Sequence, residues 1–186
     1  MTGPRSSQHD AGLRIDSPGY TRAIVALVIA GFTCFLVLYG TQPILPQITA
    51  QFGVTPATAS LTVAAGTGAM ALLLVPLSLF ADRYGRERLM RWGLAGAAAF
   101  AAASAVAPDF LTLLACRAGV GACVAGVPAA ALAYLGDEIA PEGRSRAMGL
   151  YIAATGLGGM TGRLIVSAVT GWLDWRYGLA TLGAAG

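Results

Sequence analysis

A seven-residue stretch from Asp82 to Arg88 holds the densest group of charges in the chain. It reads Asp-Arg-Tyr-Gly-Arg-Glu-Arg and lies between two apolar runs, residues 61–81 and 92–107. Arginines at the end of an apolar run stop a membrane helix and hold it at the lipid headgroups. A carboxylate beside them can pair with a cation or with a helix N-terminus. The stretch therefore predicts a tight charged loop between two membrane spans, suited to ion pairing rather than to bond making.

Two more arginines, Arg117 and Arg163, interrupt apolar runs. Arg117 comes eight residues after Asp109, which is about 12 Å along a helix. An unpaired arginine in hydrocarbon is costly, so Arg117 is expected to face a cavity or a partner, and snorkelling to the headgroups is the alternative. Because no acid falls inside a predicted span, its partner is a backbone carbonyl, a tyrosine, a loop acid, a solute or a residue outside this chain.

Arg163 is expected to point into the helix bundle. The residues that precede it at helical intervals of three and four are Gly149, Ile152, Gly156 and Gly159. Residues at this spacing share one helix face, and a glycine-lined face packs closely against a neighbouring helix. Gly158 and Gly162 form a second close-packing strip on the adjoining face.

The composition predicts an all-α integral membrane protein. Of the 186 residues, 56% are hydrophobic and 11% are charged, whereas a soluble domain has about 25% charged residues. All nine acids lie in the tail, in loops or at span ends, and no nucleophile or phosphate-loop motif is present, so the chain is not expected to be an enzyme. A single histidine and three scattered cysteines predict neither a metal site nor a cofactor.

The hydropathy pattern divides the chain into a tail and a membrane bundle. Residues 1–21 are polar and are expected to form a disordered cytoplasmic tail. Residues 22–186 are expected to form the bundle, with spans at about 22–45, 58–81, 91–107, 110–135, 147–170 and 177–186. The sixth segment is shorter than the roughly 20 residues that a crossing needs. The chain as given is therefore expected to end inside its sixth span.

The arginines predict the orientation of the bundle. Those outside the spans fall mainly on one side: Arg5, Arg14, Arg22, Arg83, Arg86, Arg88, Arg91, Arg144 and Arg146. Arg176 falls on the other side. The positive-inside rule therefore predicts a cytoplasmic N-terminus. The same rule accounts for the basic charge, so no nucleic-acid partner is expected.

The end of the first span carries polar residues between prolines. Tyr39 and Gln42 precede Pro43 and Pro46, which break or bend the helix as it leaves the membrane. Tyr39 and Gln42 are expected to lie at the outer mouth of a transport path. The alternative is an aromatic belt residue followed by a helix-ending turn.

Several motifs resemble those of major facilitator superfamily transporters. The charged loop resembles the pattern G-x-x-x-D-R-x-G-R-x-R between their second and third helices. Asp82, Arg83, Gly85, Arg86 and Arg88 match it, and Ser78 stands where the first glycine would be. Arg117 and Gly121 resemble the fourth-span pattern R-x-x-x-G.

The fifth span partly resembles the pattern G-P-x-x-G-G of drug and proton antiporters. Gly158 and Gly162 match it, Gly159 replaces the proline and Arg163 replaces the last glycine. The motifs Y-x-x-Q-P-I-L-P after the first span and G-W-x-x-W-R before the sixth are most similar to those of bacterial arabinose-efflux or acriflavine-resistance-like permeases.

This resemblance implies the N-terminal six-helix bundle of a major facilitator fold, a 3+3 inverted repeat cut within span 6. It implies a secondary transporter of the bacterial inner membrane that exports a drug-like compound or sugar, coupled to protons. The charged loop would act as a cytoplasmic latch, and Arg117, Arg163, Tyr39 and Gln42 would line the transport path. The glycines at 121, 156, 158, 159 and 162, with Ser78, would pack helices.

The partners implied by the resemblance are the lipid bilayer, a missing C-terminal half, a small-molecule substrate and a proton. Two other functions stay open. One is a small membrane protein with a structural or assembly role and no transport. The other is an importer of an anionic solute, favoured by the two arginines within spans that contain no acid.

Overall fold

The computed structural model describes Leu13 and residues 17–185, without the side chains of residues 81–84 and 185. Within these residues the chain is helical, and Leu13 and Ile139 form one isolated bridge but no strand. The helices are α1 (Pro18–Tyr39), a 3-10 helix (Gln42–Ile44), α2 (Leu45–Phe52), α3 (Pro56–Tyr84), α4 (Arg86–Ala105), α5 (Phe110–Val124), α6 (Gly126–Asp137), α7 (Pro141–Thr170) and α8 (Trp175–Ala185). The expected all-α architecture is confirmed.

Four helical stretches in the described chain are long and apolar enough to cross a membrane. They are Pro18–Phe52, Pro56–Phe80, Phe110–Asp137 and Pro141–Thr170. α4 has 20 residues, but it begins with arginines and is otherwise rich in alanine, which is less hydrophobic than leucine or valine. α8 has 11 described residues. Together these elements form the six helical segments that the sequence predicts.

We name the two ends of the bundle by their glycine turns. The Gly53 end contains the turns at 53–55, 106–109 and 171–174, and the Gly85 end contains Gly85 and residues 138–140. Gly53 has φ 62° and Gly85 has φ 94°, a region of backbone space that glycine enters without steric cost. The two residues therefore allow α2 to stop and α3 to turn sharply into α4.

The first helix starts earlier than expected. Ser17 caps α1 by accepting a hydrogen bond from the backbone N–H of Tyr20 at 3.2 Å, and Pro18 lies in its first turn. The backbone of Leu13 also bonds to Glu138 and Ala140. The prediction of a disordered tail to residue 21 is thus wrong for Leu13 and for residues 18–21. Its remaining part, residues 1–12 and 14–16, lies outside the described residues.

The first span also ends later than the expected boundary at residue 45. The chain turns at Gly40, and Pro43 enters the 3-10 helix. Pro46 lies in the first turn of α2. There a proline favours a helix, because the N–H that it lacks would have no intrahelical partner. Pro46 therefore helps to start a new helix that runs to Phe52, instead of ending the span.

A gap in the hydrogen bonding near Ala125, which we call the break at Ala125, separates α5 from α6, although Ala125 keeps helical angles (φ −57°, ψ −31°) and Phe110–Asp137 remains one helical stretch. Pro128 lies four residues after Val124 and cannot donate the hydrogen bond that the Val124 carbonyl would accept in a continuous helix. The Cys34 thiol approaches this carbonyl, with 3.9 Å between Sγ and the oxygen. The span predicted over residues 110–135 is continuous at this position.

The helix pairing has the symmetry expected of an inverted repeat. Extensive contacts join α1 to α7, α3 to α5, and α4 to α8. In such a repeat α1 corresponds to α5, α3 to α7 and α4 to α8. Replacing each helix by its counterpart turns the α1–α7 pairing into the α5–α3 pairing. The same replacement leaves the α4–α8 pairing unchanged. These three pairings agree with the predicted 3+3 repeat, whereas the equally extensive α4–α5 contact has only a slight counterpart between α8 and α1.

Aromatic side chains hold the Gly53 end together. The Phe52 ring lies 6.2 Å from both the Phe110 and the Trp175 ring, edge to face. The Trp175 indole N–H donates to the side-chain oxygen of Gln51 at 2.5 Å. Arg176 donates to the carbonyl oxygen of Ala105 at 2.9 Å. These contacts fix α2, α4, α5 and α8 around the end of α1.

Candidate functional site

Arg117 is fully buried in the bundle and bonds to the end of α1. Its Nη2 donates to the carbonyl oxygens of Leu38 at 2.5 Å and Val37 at 3.3 Å. These carbonyls belong to the last turn of α1, where a helix leaves carbonyls without an intrahelical partner. The same end carries the negative pole of the helix dipole. Of the partners left open by the sequence, Arg117 uses backbone carbonyls, and it does not snorkel.

A tight crossing of α3 and α5 brings Arg117 to this position. A Cβ atom added to Gly121 would overlap the carbonyl oxygen of Gly66 in α3. A Cβ atom added to Gly66 would lie 3.3 Å from the carbonyl oxygen of Arg117. Two glycines therefore let the backbones of α3 and α5 touch near Arg117. Gly121 was singled out from the sequence, whereas Gly66 carries no signal that separates it from nearby glycines.

Buried polar atoms without a partner gather at the same place. Among the described residues, four buried side-chain atoms lack a hydrogen bond: Nε and Nη1 of Arg117, Oγ1 of Thr41 and the hydroxyl of Tyr151. Three of these four atoms belong to Thr41 and Arg117. Arg117 bonds to residues 37 and 38, which lie just before Thr41 in the chain. Such atoms call for an explanation such as an ordered water or a ligand group. Thr41 was not anticipated from the sequence.

Arg163 reaches the same end of α1 from α7. Its side chain is exposed, and its Cζ atom lies 5.1 Å from the centroid of the Tyr39 ring. That geometry is a cation–π contact. Gly159, one turn earlier in α7, faces the same ring. The structure thus brings Arg163 and Tyr39 together beside the residues that hold Arg117.

Of the glycine strip expected to bury Arg163, Gly159 packs against Tyr39, whereas the part from Gly149 to Gly156 does not pack against the described chain. An added Cβ would meet nothing within 4 Å at Gly149 or Gly156, and Ile152 is exposed. The adjoining strip packs instead, because added Cβ atoms at Gly158 and Gly162 would overlap the α1 carbonyl oxygens of Phe32 and Leu36. Within the described chain Gly156 therefore packs against no other residue and Arg163 is exposed, and the predicted packing of Gly156 and inward direction of Arg163 stay predictions.

Gln42 lies close to this group in the chain. It begins the 3-10 helix, three residues after Tyr39, and its side chain is half-buried. The 3-10 helix packs against α7. The residues predicted to line a transport path therefore fall around the last turn of α1, and no described hydrogen bond joins Gln42 to either arginine.

The charged loop lies at the opposite, Gly85 end. Arg86 forms an ion pair with Asp137 at the end of α6, with 2.5 Å between Nη2 and Oδ2. Arg88 is exposed. The hydroxyl of Ser78 donates to the carbonyl oxygen of Val75 at 2.7 Å within its own helix. The side chains of Asp82 and Arg83 lie outside the described residues, so the latch role stays a prediction. Asp137 was not singled out from the sequence.

A cleft of about 800 Å³ opens at the Gly85 end between α1, α4 and α6. Apolar side chains such as Ile29 and Met90 line it, and Arg86 and Asp137 stand at its edge. Neither Arg117 nor Arg163 belongs to its lining. This cleft and the intramembrane arginines are therefore at different places in the bundle.

Comparison with known proteins places this bundle in a family. Residues 27–186 match the family model described as Major Facilitator Superfamily. The chain belongs to the Major Facilitator Superfamily. Its members are transporters, so the expectations of a membrane protein and of a non-enzymatic role are confirmed.

Relatives and solved structures agree with this assignment. The chain is 35% identical to the inner membrane transport protein YnfM of Escherichia coli over 177 residues, covering 95% of this chain and 42% of YnfM. It is 35% identical to the cephamycin export protein CmcT of Amycolatopsis lactamdurans, covering 83% of this chain and 32% of CmcT. A bacterial homologue of the human lysosomal transporter Spinster, inward-facing and occupied, superposes with TM-score 0.79 at 19% identity, covering 91% of this chain and 42% of that one. The last likeness concerns the fold alone.

The chain spans about two fifths of the length of YnfM and of the Spinster homologue. Major facilitator proteins lie in the membrane and carry small molecules. The chain is thus a six-helix membrane bundle of a transporter family.

Proposed function

We propose that the chain is the N-terminal half of a secondary transporter that exports a small molecule by alternating access. The observation that carries the proposal is the uncovered face of α7. Gly149 and Gly156 have open space in front of them, and Arg163 on the same face is exposed. A lipid-facing helix gains nothing from an arginine and from glycines, whereas a helix that faces a cavity or another helix can use both.

A second set of helices is the natural partner of this face. The share of YnfM that the chain covers leaves room for such a set. In transporters built from repeats, the solute binds between the two halves near the middle of the membrane. Arg117, Arg163, Tyr39 and Gln42 would then lie on the path from the Gly53 end. The similarity to CmcT, a cephamycin export protein, supports export of a drug-like compound, and a sugar is the other substrate class that we propose.

Proton coupling would depend on residues outside the described spans. Every acid from residue 17 to residue 185 lies in a turn or near a helix end. The carboxylate that binds a proton in midmembrane is therefore proposed for the second half. The arginine count supports a cytoplasmic N-terminus and a cytoplasmic Gly85 end in a bacterial inner membrane.

The charged loop is proposed to act as a latch on the second half. Asp82 would bind a helix N-terminus there, a contact worth about 0.3–1 kcal/mol when exposed and about 2 kcal/mol when partly buried. Such a contact biases a two-state equilibrium without locking it. Asp82→Asn should lower transport while leaving the amount of protein in the membrane unchanged. Normal transport by this variant would count against the latch.

The transport proposal is tested in everted membrane vesicles that contain the full-length protein. Respiration acidifies the vesicle interior, and a pH-sensitive acridine dye reports the gradient. Addition of an exported compound should dissipate the gradient in these vesicles but not in vesicles from an empty-vector strain. A panel of antibiotics and sugars, arabinose included, supplies the compounds. If Arg117→Ala and Arg163→Ala both leave the response unchanged, the assignment of the transport path is wrong.

Import of an anionic solute is the second candidate function. It is favoured by two arginines at one end of α1 and by the lack of an acid in the middle of any described span. Right-side-out vesicles would then accumulate a labelled organic anion, and everted vesicles would not. Accumulation in everted vesicles alone would support export.

A further inference from the structure

We propose that Arg163 binds a carboxylate group of the transported solute, and that the Tyr39 ring holds the guanidinium in position for it. The inference rests on the proposed transport function and adds to it the chemical class of the solute. It concerns the Gly53 end of the bundle, where α1 and α7 meet.

The guanidinium of Arg163 contacts an aromatic ring, but its N–H groups have no acceptor among the described residues. Its Cζ atom lies 5.1 Å from the centroid of the Tyr39 ring, and the Tyr39 ring in turn lies 5.8 Å from that of Phe35. A ring contact of this kind uses the flat face of the guanidinium and leaves the N–H donors at its edge available. No described residue accepts a hydrogen bond from Arg163 or forms an ion pair with it.

Arg163 lies inside the apolar span of α7 and not at its end. It comes seven residues before the end of α7 at Thr170, which is about 10 Å at 1.5 Å per residue. Exposed charges within a membrane span face a cavity or a partner, because hydrocarbon solvates them poorly. The exposure of Arg163 in this chain therefore indicates a site that an anionic group can reach.

The local charge favours an anion. Arg117 adds a second positive charge at residues 37 and 38, and two of its nitrogens have no described partner. No carboxylate from the described spans neutralises either arginine. Clefts with charge of one sign attract ligands of the opposite sign, more strongly where water is scarce. A planar carboxylate fits the forked N–H edge of arginine with two parallel hydrogen bonds.

The anionic oxygen could come from the solute, from an acidic side chain in the rest of the transporter, or from a lipid phosphate. Three probes with the same ring separate these sources: benzoate, benzamide and benzylammonium. Binding is measured as ligand-induced thermal stabilisation of the purified full-length protein in detergent, which does not depend on transport. The variants are Arg163→Gln, Arg163→Lys and Tyr39→Leu.

Arg146→Gln is the matched control. It removes the same charge from the same helix, at an exposed position in the other end of α7. Wild-type protein and this control should bind benzoate and be indifferent to benzamide and benzylammonium. Arg163→Gln should weaken benzoate binding by about 10- to 100-fold, as loss of a hydrogen-bonded charge does. Arg163→Lys should bind with intermediate affinity, and Tyr39→Leu should weaken binding by about 2- to 5-fold.

Two outcomes would overturn the proposal. One is wild-type protein that binds benzamide as well as benzoate. The other is Arg163→Gln protein that melts well below the wild type without any probe and still binds benzoate as the wild type does, as expected if the arginine pairs with a fixed protein carboxylate or a lipid phosphate. Benzoate binding that depends on Arg163, in a protein that fails the vesicle assay, would retain the carboxylate site and reject the transport proposal.

Discussion

Arg117 and Arg163 meet the same end of α1 but are held in different ways. Arg117 is fully buried, and its cation binds two backbone carbonyls. Arg163 is exposed, and its cation lies over an aromatic ring. Even their spacing is mirrored, because Gly121 follows Arg117 by four residues and Gly159 precedes Arg163 by four. The first arrangement uses an arginine to build the bundle, and the second leaves its donors free.

The end of α1 explains why both arginines come there. The chain leaves the α-helix at Gly40, so the carbonyls of the last turn are available to other donors. Pro43 favours the end of the helix at this point. In a continuous helix the N–H of residue 43 would donate to the Tyr39 carbonyl, and a proline has no N–H. The turn at residues 40–42 is therefore part of the site.

The tight crossing beside Arg117 gives the largest expected effect. Gly121→Leu would force a side chain into the Gly66 backbone, and overpacking of this kind costs about 3 kcal/mol. Gly68→Leu in α3 is the matched control, because its added side chain meets open space and it does not lie on the α7 face proposed to meet a second half. We expect Gly121→Leu to abolish or sharply reduce the yield of monodisperse protein in detergent. Equal yield and equal melting temperature for the two variants would refute the packing role of the crossing.

The two arginines themselves should differ in their effect on stability. Arg117→Ala removes the donor for two buried carbonyls and should lower the free energy of unfolding by about 1–3 kcal/mol. Arg163→Ala removes one exposed ring contact, worth about 0.5–1 kcal/mol. Both variants are compared with wild type by denaturant titration of helicity in mixed micelles. An equal loss of stability would contradict the distinction between a structural and a free arginine.

Hydropathy and charge predict much of the bundle, because they report on the solvent around each segment. The spans, the charged loop and the depth of Arg117 all follow from where apolar residues and arginines alternate. What bonds to Arg117 could not be predicted, since every residue has a carbonyl and only the end of α1 makes those of Val37 and Leu38 available.

The sequence also could not show which of the two glycine strips of α7 packs against α1. In α7, Gly149, Gly156 and Gly159 have helical spacing, and so do Gly158 and Gly162. Periodicity cannot choose between two adjoining strips, and here the backbone of α1 decides in favour of the second. The break at Ala125 carries a readable signal in Pro128, but a proline in a membrane helix is often tolerated without a break.

The smallest expected effect concerns the N-termini of α5 and α7, the helices that carry Arg117 and Arg163. Asp109 caps α5 by accepting the Thr112 backbone N–H at 2.8 Å and its hydroxyl at 2.9 Å, whereas α7 has no side-chain cap. These hydrogen bonds hold the pKa of Asp109 below its ordinary value of 3.8. A lowered folded-state pKa contributes stability above the unfolded pKa, and this contribution is lost as the pH falls through the folded value. Asp109→Asn keeps a capping side chain, so it should melt slightly below wild type at about pH 7, and the difference should become smaller as the pH falls to about 3. Melting curves that stay equally far apart at both values would show that the carboxylate charge is not what stabilises the start of α5.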